Sequence, residues 1–276
     1  MNNTDNVIKI LVVYHKRTPM IKSNVFLPIQ VGRANTDVII EEMIGDDTGD
    51  NISAKNPNYC ELTAQYWAWK NLNADYVGLN HYRRLFNFCG GICGKSYFQQ
   101  IDDGIIKKYG WDDARIIEIV KGYDVITLPA DKLKVTIYEH YKAYHRENDL
   151  KVALQVIKEK YPSMSQLAHD VIMNHKKMRF NNMILMKKKY FDSYSAWLFD
   201  ILFEVERRIE ISEDKQEARV FGYLAERLLN VYVEYLLERE DVRYRELEWA
   251  FGDFDNTVRN KWHKKIKSFI KKNLAL

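Results

Sequence analysis

The stretch from Asn56 to Phe86, NPNYCELTAQYWAWKNLNADYVGLNHYRRLF, narrows the folds open to this chain more than any other. Asn56-Pro57 predicts a helix start, because Asn accepts from a free amide and Pro tolerates the first helical position, where no N–H is needed. Tyr59, Leu62, Tyr66 and Trp69 then recur at helical spacing. The period breaks around Asn71 to Asn73, and Tyr76-Val77-Gly78-Leu79 predicts a strand buried on both faces. A helix feeding such a strand is a unit of an α/β sheet, and in open α/β sheets ligands bind beyond the carboxyl ends of the strands. That end carries Asn80-His81-Tyr82-Arg83-Arg84. Solvated surface charge is the plain reading of His81, Arg83 and Arg84. Their place after an apolar strand favours an anion site, with a phosphate the natural ligand.

The rest of the chain fits around this unit. Val7 to Tyr14 is a near-continuous β-branched run and predicts a central strand, whose exit, His15-Lys16-Arg17, adds a second basic cluster to the same sheet. Pro28-Ile29-Gln30-Val31-Gly32 follows, and Gly32 can let the backbone approach a flat ring, a plain turn being the alternative. Glu41 to Asn51 is acidic and Gly-containing and predicts a mobile surface loop; its oxygens do not fall at the positions of a calcium-binding EF-hand. A Gly-rich loop over the site is expected at Asn87 to Gly94. A helix over Thr136 to His145 puts Tyr138, Tyr141 and His145 on one face with Glu139 beside them. Core packing explains the tyrosines, which leaves Glu139 and His145 as site candidates. Phe180 to Met186 predicts a strand entered by Asn181 and Asn182, groups suited to hydroxyls. Long amphipathic helices are expected over Tyr190 to Ile209 and Glu217 to Glu238. The second carries Arg219, Glu226 and Arg227, which need water or partners.

The chain has 276 residues and no Pro/Gly/Ser-rich linker, so residues 1–255 are expected to form one unit. Residues 256–276 form a basic tail. Within it Trp262, Ile266, Phe269, Ile270 and Leu274 share one helical face, and Arg259 plus six Lys face no acid, a pattern suited to peripheral contact with anionic lipid. Eighteen Tyr and six Trp offer platforms for sugar rings. No apolar run approaches eighteen residues and no leader is visible, so a cytoplasmic protein is expected, in contact with the inner face of the plasma membrane at most. Three Cys fit a reducing compartment and lack the spacing of a zinc site. Basic residues are mixed with acids outside the tail and no nucleic-acid reader motif occurs, which speaks against nucleic acid as partner.

The segments PIQVG, NPNYCELTAQYWAWKN, YVGLNHYRRLF, NNMILMKKKYF and RVFGYLAERLLNVYVEY together resemble a family of bacterial capsular and exopolysaccharide biosynthesis proteins. That family, formerly a domain of unknown function, is grouped with glycosyltransferases and includes galactofuranosyltransferases. The resemblance implies a GT-A-like α/β fold, with a mainly parallel central sheet flanked by helices and a helical C-terminal region. It also implies a UDP-sugar donor and transfer to a growing, lipid-linked glycan. His81, Tyr82, Arg83, Arg84, Gln30, Gly32, His15 and Asn182 become the expected donor-binding residues. Glu226 and Glu139 are the candidates for the base that deprotonates the acceptor. Many GT-A enzymes place two carboxylates for a divalent metal where this chain places His81, Arg83 and Arg84. An inverting transfer with no metal is therefore expected, the guanidinium groups taking the metal's electrostatic part. The reading from another class is a non-catalytic glycan-binding module, which would release no UDP.

Overall fold

The computed structural model describes residues 6–90, 96–239 and 241–255. Its strands are Ile8–Tyr14 (β1), Phe26–Gln30 (β2), Ile44–Gly45 (β3), Tyr76–His81 (β4), Arg84–Phe86 (β5), Ser96–Phe98 (β6), Val125–Thr127 (β7), Asp131–Lys132 (β8), Lys177–Met178 (β9), Ile184–Lys187 (β10), Tyr244–Glu246 (β11) and Trp249–Gly252 (β12). Its helices are Asn56–Tyr59 (α1), Leu62–Asn71 (α2), Asp103–Tyr109 (α3), Asp113–Lys121 (α4), Ile137–Tyr144 (α5), Glu147–Lys160 (α6), Pro162–Asn174 (α7), Lys188–Arg208 (α8) and Val220–Arg239 (α9).

The main path of the sheet runs β11-β7-β10-β4-β1-β2-β3. Only β10 along this path runs against its neighbours; the other pairings are parallel. Both faces are covered. Leu11, Val13, Val77 and Leu79 pack toward a helical layer built from α2 and α5 to α9. Ile8, Ile10, Val12 and Tyr76 pack toward α3, α4 and a small flap of β5, β12 and β6. That double burial explains why β1 and β4 read as unbroken apolar runs rather than alternating ones. The expected mixed α/β architecture, central sheet flanked by helices and helical toward the C-terminus, is met. None of the described helices is long and apolar enough to cross a membrane.

Three local expectations are corrected. The helix starting at Asn56 is two helices, divided at Cys60, whose φ of 53° and ψ of −130° fit neither helix nor strand. Asn56 does not cap a free amide; its side-chain amide donates to the Cys60 carbonyl at 2.7 Å and fixes the break. The acidic segment is not a mobile surface loop at Asp46, which is fully buried. Its carboxylate accepts from the backbone of Gly32 (2.9 Å) and Arg33 (3.1 Å) and from the hydroxyls of Thr63 (2.6 Å) and Ser53. The strand expected from Phe180 begins at Ile184, because Asn181 and Asn182 take left-handed turns with φ of 72° and 49°. The basic tail and the second half of the Gly-rich loop (residues 91–94) lie outside the described residues, as does the boundary drawn after residue 255.

Candidate functional site

The carboxyl ends of β1, β2 and β4 open into a cavity of about 920 Å³. Both basic exits read from the sequence reach it. β4 ends in a tight hairpin, His81-Tyr82-Arg83-Arg84, in which His81 pairs with Arg84 of β5. The basic cluster is therefore a hairpin turn rather than a free loop, which holds its side chains on a rigid strand end. His15 arrives from β1 with its ring edge-on to Tyr82 at 5.1 Å, and His15, His81, Tyr82, Arg83 and Arg84 all line the cavity.

These cations differ in how free they are. Arg83 pairs with Asp255, which also takes the Lys16 ammonium at 3.2 Å. Arg84 lies 5.6 Å from the ring centres of both Trp249 and Phe251, and burial pulls its pKa down. The Nε atoms of Arg83 and Arg84 are buried with no hydrogen-bond partner. Donors left unsatisfied in a cavity wall are costly to the fold and ready for an incoming acceptor such as a phosphate oxygen. Burial first, and the charges of Lys16, Arg83 and Arg219 after it, lower the pKa of His15. His81 faces Asn181, whose carbonyl lies 2.7 Å from Nε2. A carbonyl only accepts, so Nε2 carries the hydrogen, and burial lowers the His81 pKa.

Glu226 forms another wall. It comes from the first turns of α9, beside the buried Arg227. The Asn181 N–H donates to its Oε1 at 2.8 Å and Arg227 Nη1 donates to Oε2 at 3.0 Å. The Asn181 peptide thus joins His81 and Glu226, which is what the left-handed turn at Asn181 achieves. Burial raises the Glu226 pKa, against the opposing pull of Arg227 and the Asn181 bond. A carboxylate so poised accepts a proton more readily than an ordinary glutamate.

The remaining sequence candidates fall elsewhere. Glu139 lies outside the cavity: it closes a capping box with Thr136, taking the Thr136 N–H at 2.8 Å, and that bond holds its carboxyl below the usual range. It is withdrawn as a base. His145, stacked 4.0 Å from Tyr223, is also outside, its pKa lowered to about 4 by burial and by Arg227. Asn182 does not face the cavity either; its amide donates to Glu61 at 2.8 Å and to the Gly222 carbonyl at 3.1 Å. Gln30 and Gly32 line a second cavity of about 440 Å³, which shares His15 and Val31 with the first. Gln30 is a brace there, donating to the Val38 carbonyl and accepting from the Ile40 N–H. At Gly32 (φ 65°) an added Cβ would lie 2.6 Å from Asn56 Oδ1, so the close approach is to Asn56 rather than to a ring.

Asn181, read with Asn182 as suited to hydroxyls, does line the cavity, as do Cys60, Glu61 and Arg219, which were not singled out as site residues. The break at Cys60 turns Glu61 inward, and Arg219 Nε sits 3.3 Å from the Cys60 sulfur. Burial pushes the Cys60 thiol up to about 11, so it stays protonated. Among the described residues no three His, Cys, Asp or Glu side chains converge as metal ligands.

Comparison with known proteins gives two results. A family model described as a domain of unknown function, DUF4422, matches residues 9–238. The apo structure of the WbbM bifunctional glycosyltransferase superposes with a TM-score of 0.85 at 35% identity, over 90% of this chain and 46% of that one. The chain thus spans less than half the length of WbbM. No curated protein matches.

Proposed function

We propose sugar transfer from a nucleotide-sugar donor to a glycan acceptor, on the premise that this chain belongs to the DUF4422 family, whose model matches most of it. The likeness to WbbM, a bifunctional glycosyltransferase, supports that class of reaction. The observation that carries it is the half-buried Glu226 carboxylate sharing one cavity with Arg83, Arg84, His81 and His15. That pairs a proton acceptor with an anion-binding wall, as displacement of a nucleoside diphosphate requires.

In this reading the nucleoside occupies the smaller cavity beside Gln30 and Gly32, and the diphosphate reaches the His81–Arg84 hairpin at the junction marked by His15. An acceptor hydroxyl attacks the anomeric carbon and gives its proton to Glu226. The bond from that carbon to phosphate oxygen breaks, and the leaving diphosphate carries the electron pair and the added negative charge toward Arg83 and Arg84. One displacement inverts the anomeric centre. UDP is the proposed nucleotide, galactofuranose a proposed sugar, and a lipid-linked surface glycan the proposed acceptor, reached through the basic tail at the membrane's inner face. Guanidinium charge, rather than a divalent cation, stabilises the leaving group.

A donor screen tests the reading. UDP-sugars should raise the melting temperature, since a ligand at a hundred times its Kd adds about 2.7 kcal/mol, and one of them should release UDP when acceptor is added. Binding of glycans with no UDP release from any donor would instead point to a glycan-binding module.

A further inference from the structure

The flap of β5, β12 and β6 turns one face into the core and, apart from the fully buried Phe86 at the end of β5, carries on its other face aromatic rings where a solvated face is usually polar. Leu85, Ala250 and Phe98 turn into the core. Arg84, Phe251 and Tyr97 turn the other way and are direct cross-strand partners, Arg84 opposite Phe251 and Phe251 opposite Tyr97. Trp249, two residues before Phe251, lies on the same face. The rings form one cluster: Tyr97 to Phe251 at 5.9 Å, Trp249 to Phe251 at 5.9 Å, each pair edge to face. Tyr97 is 44% exposed. Trp249 and Phe251 are half-buried, and Phe251 and Arg84 line the large cavity, so the aromatic row continues its wall rather than standing apart from it.

The geometry points to an acceptor subsite: this row is a platform on which a sugar ring of the acceptor glycan stacks. The inference rests on the sugar-transfer reading and names where its second substrate lies. Three features select that occupant. The face is continuous with the cavity that holds Glu226, so a glycan lying along it delivers its terminal hydroxyl there. Flat rings meet the apolar C–H face of a sugar while leaving its hydroxyl edge free for hydrogen bonds. The donor's anionic part, by contrast, is drawn to the cationic hairpin beside His15, where the smaller cavity begins, which leaves the rings beyond Arg84 to the acceptor. The platform is also firmly held from behind, with Phe98 packed on Tyr109 and Trp111.

The test uses the whole chain as wild type, Tyr97→Ala and Tyr97→Phe, with UDP-sugars as donors and octyl β-galactoside, octyl β-glucoside and octyl α-mannoside as acceptor probes. Tyr97→Ala should raise the acceptor KM about tenfold, the worth of one ring contact, with the donor KM little changed, and Tyr97→Phe should restore it. An unchanged acceptor KM in Tyr97→Ala, or a rise in the donor KM equal to that of the acceptor, overturns the platform. If wild type transfers nothing, sugar transfer itself falls, and saturation-transfer NMR with the same glycosides decides the platform alone. Saturation of the sugar-ring protons that is lost in Tyr97→Ala supports it; none with wild type refutes it.

Discussion

Replacing Glu226 by Gln isolates the proton transfer from everything else at the site. The two side chains have the same shape, and the Gln carbonyl can keep the bond from the Asn181 N–H, now 2.8 Å. The other atom changes from acceptor to donor and meets Arg227 Nη1, now 3.0 Å away. Loss of that charged hydrogen bond costs about 1.5–3 kcal/mol. Removing a buried anion whose pKa burial already raises offsets part of it. At about 2–4 °C per kcal/mol for a chain of this size, the melting temperature should fall by no more than about 10 °C. Assays at 25 °C therefore compare two folded proteins. With the base gone, turnover should drop by about 10²- to 10⁴-fold, while UDP binding, held by the hairpin, stays near wild type. The pH profile gives the sign. Glu226 accepts a proton only when ionised, so wild-type turnover should fall as pH drops through a pKa above the ordinary glutamate value of about 4.3. That acid limb should vanish in Glu226→Gln. Turnover within tenfold of wild type, or an unchanged acid limb, would refute the assignment.

Arg83→Ala should weaken UDP binding by about tenfold or more by calorimetry, the worth of one charged hydrogen bond. The fold should survive, since Asp255 keeps Lys16 as partner; wild-type affinity would remove Arg83 from the site. Activity should persist in EDTA, because the strand exit presents His81, Arg83 and Arg84, and four acids that could otherwise carry a metal are engaged. Asp46 is buried under four donors, Asp47 pairs with Arg33, Asp50 accepts from Tyr66, and Asp124 is held by Lys187 and Arg243. Activity lost in EDTA and restored by manganese would sink that expectation. Deleting residues 256–276 should abolish co-sedimentation with anionic liposomes, and equal binding by both forms would end the membrane role.

The boundary between what the sequence disclosed and what it hid follows the range of the interactions. Doubly buried strands announce themselves in β1 and β4 because every residue needs an apolar neighbour, and the sheet rule then puts both basic exits at one rim. Glu226 stood out for a different reason, as a charge beside the helix's core stripe that needs water or a partner, and it has found Arg227 and the Asn181 N–H. Glu139 was misread although its signal was local: Thr136-x-x-Glu139 is a capping box written in the chain, and it accounts for the carboxylate without a site. Asp46 shows the reverse failure. Asp and Gly look like a surface loop by composition, but the partners that bury this carboxylate come from Gly32, Ser53 and Thr63, distant positions that only the fold assembles. Glu61 hid inside a convincing helical period, since nothing local foretells that Cys60 adopts a positive φ and divides the helix. The aromatic face depends on the longest reach of all, with β12 returning after α9 to pair with β5 and β6 more than 140 positions earlier in the chain. The basic residues that line the cavity are thus written in short runs, whereas the aromatic face beside them arises from long-range pairing. Cationic residues of such a cavity can be sought by motif, whereas lining residues such as Glu61 must be sought by contact with the cavity.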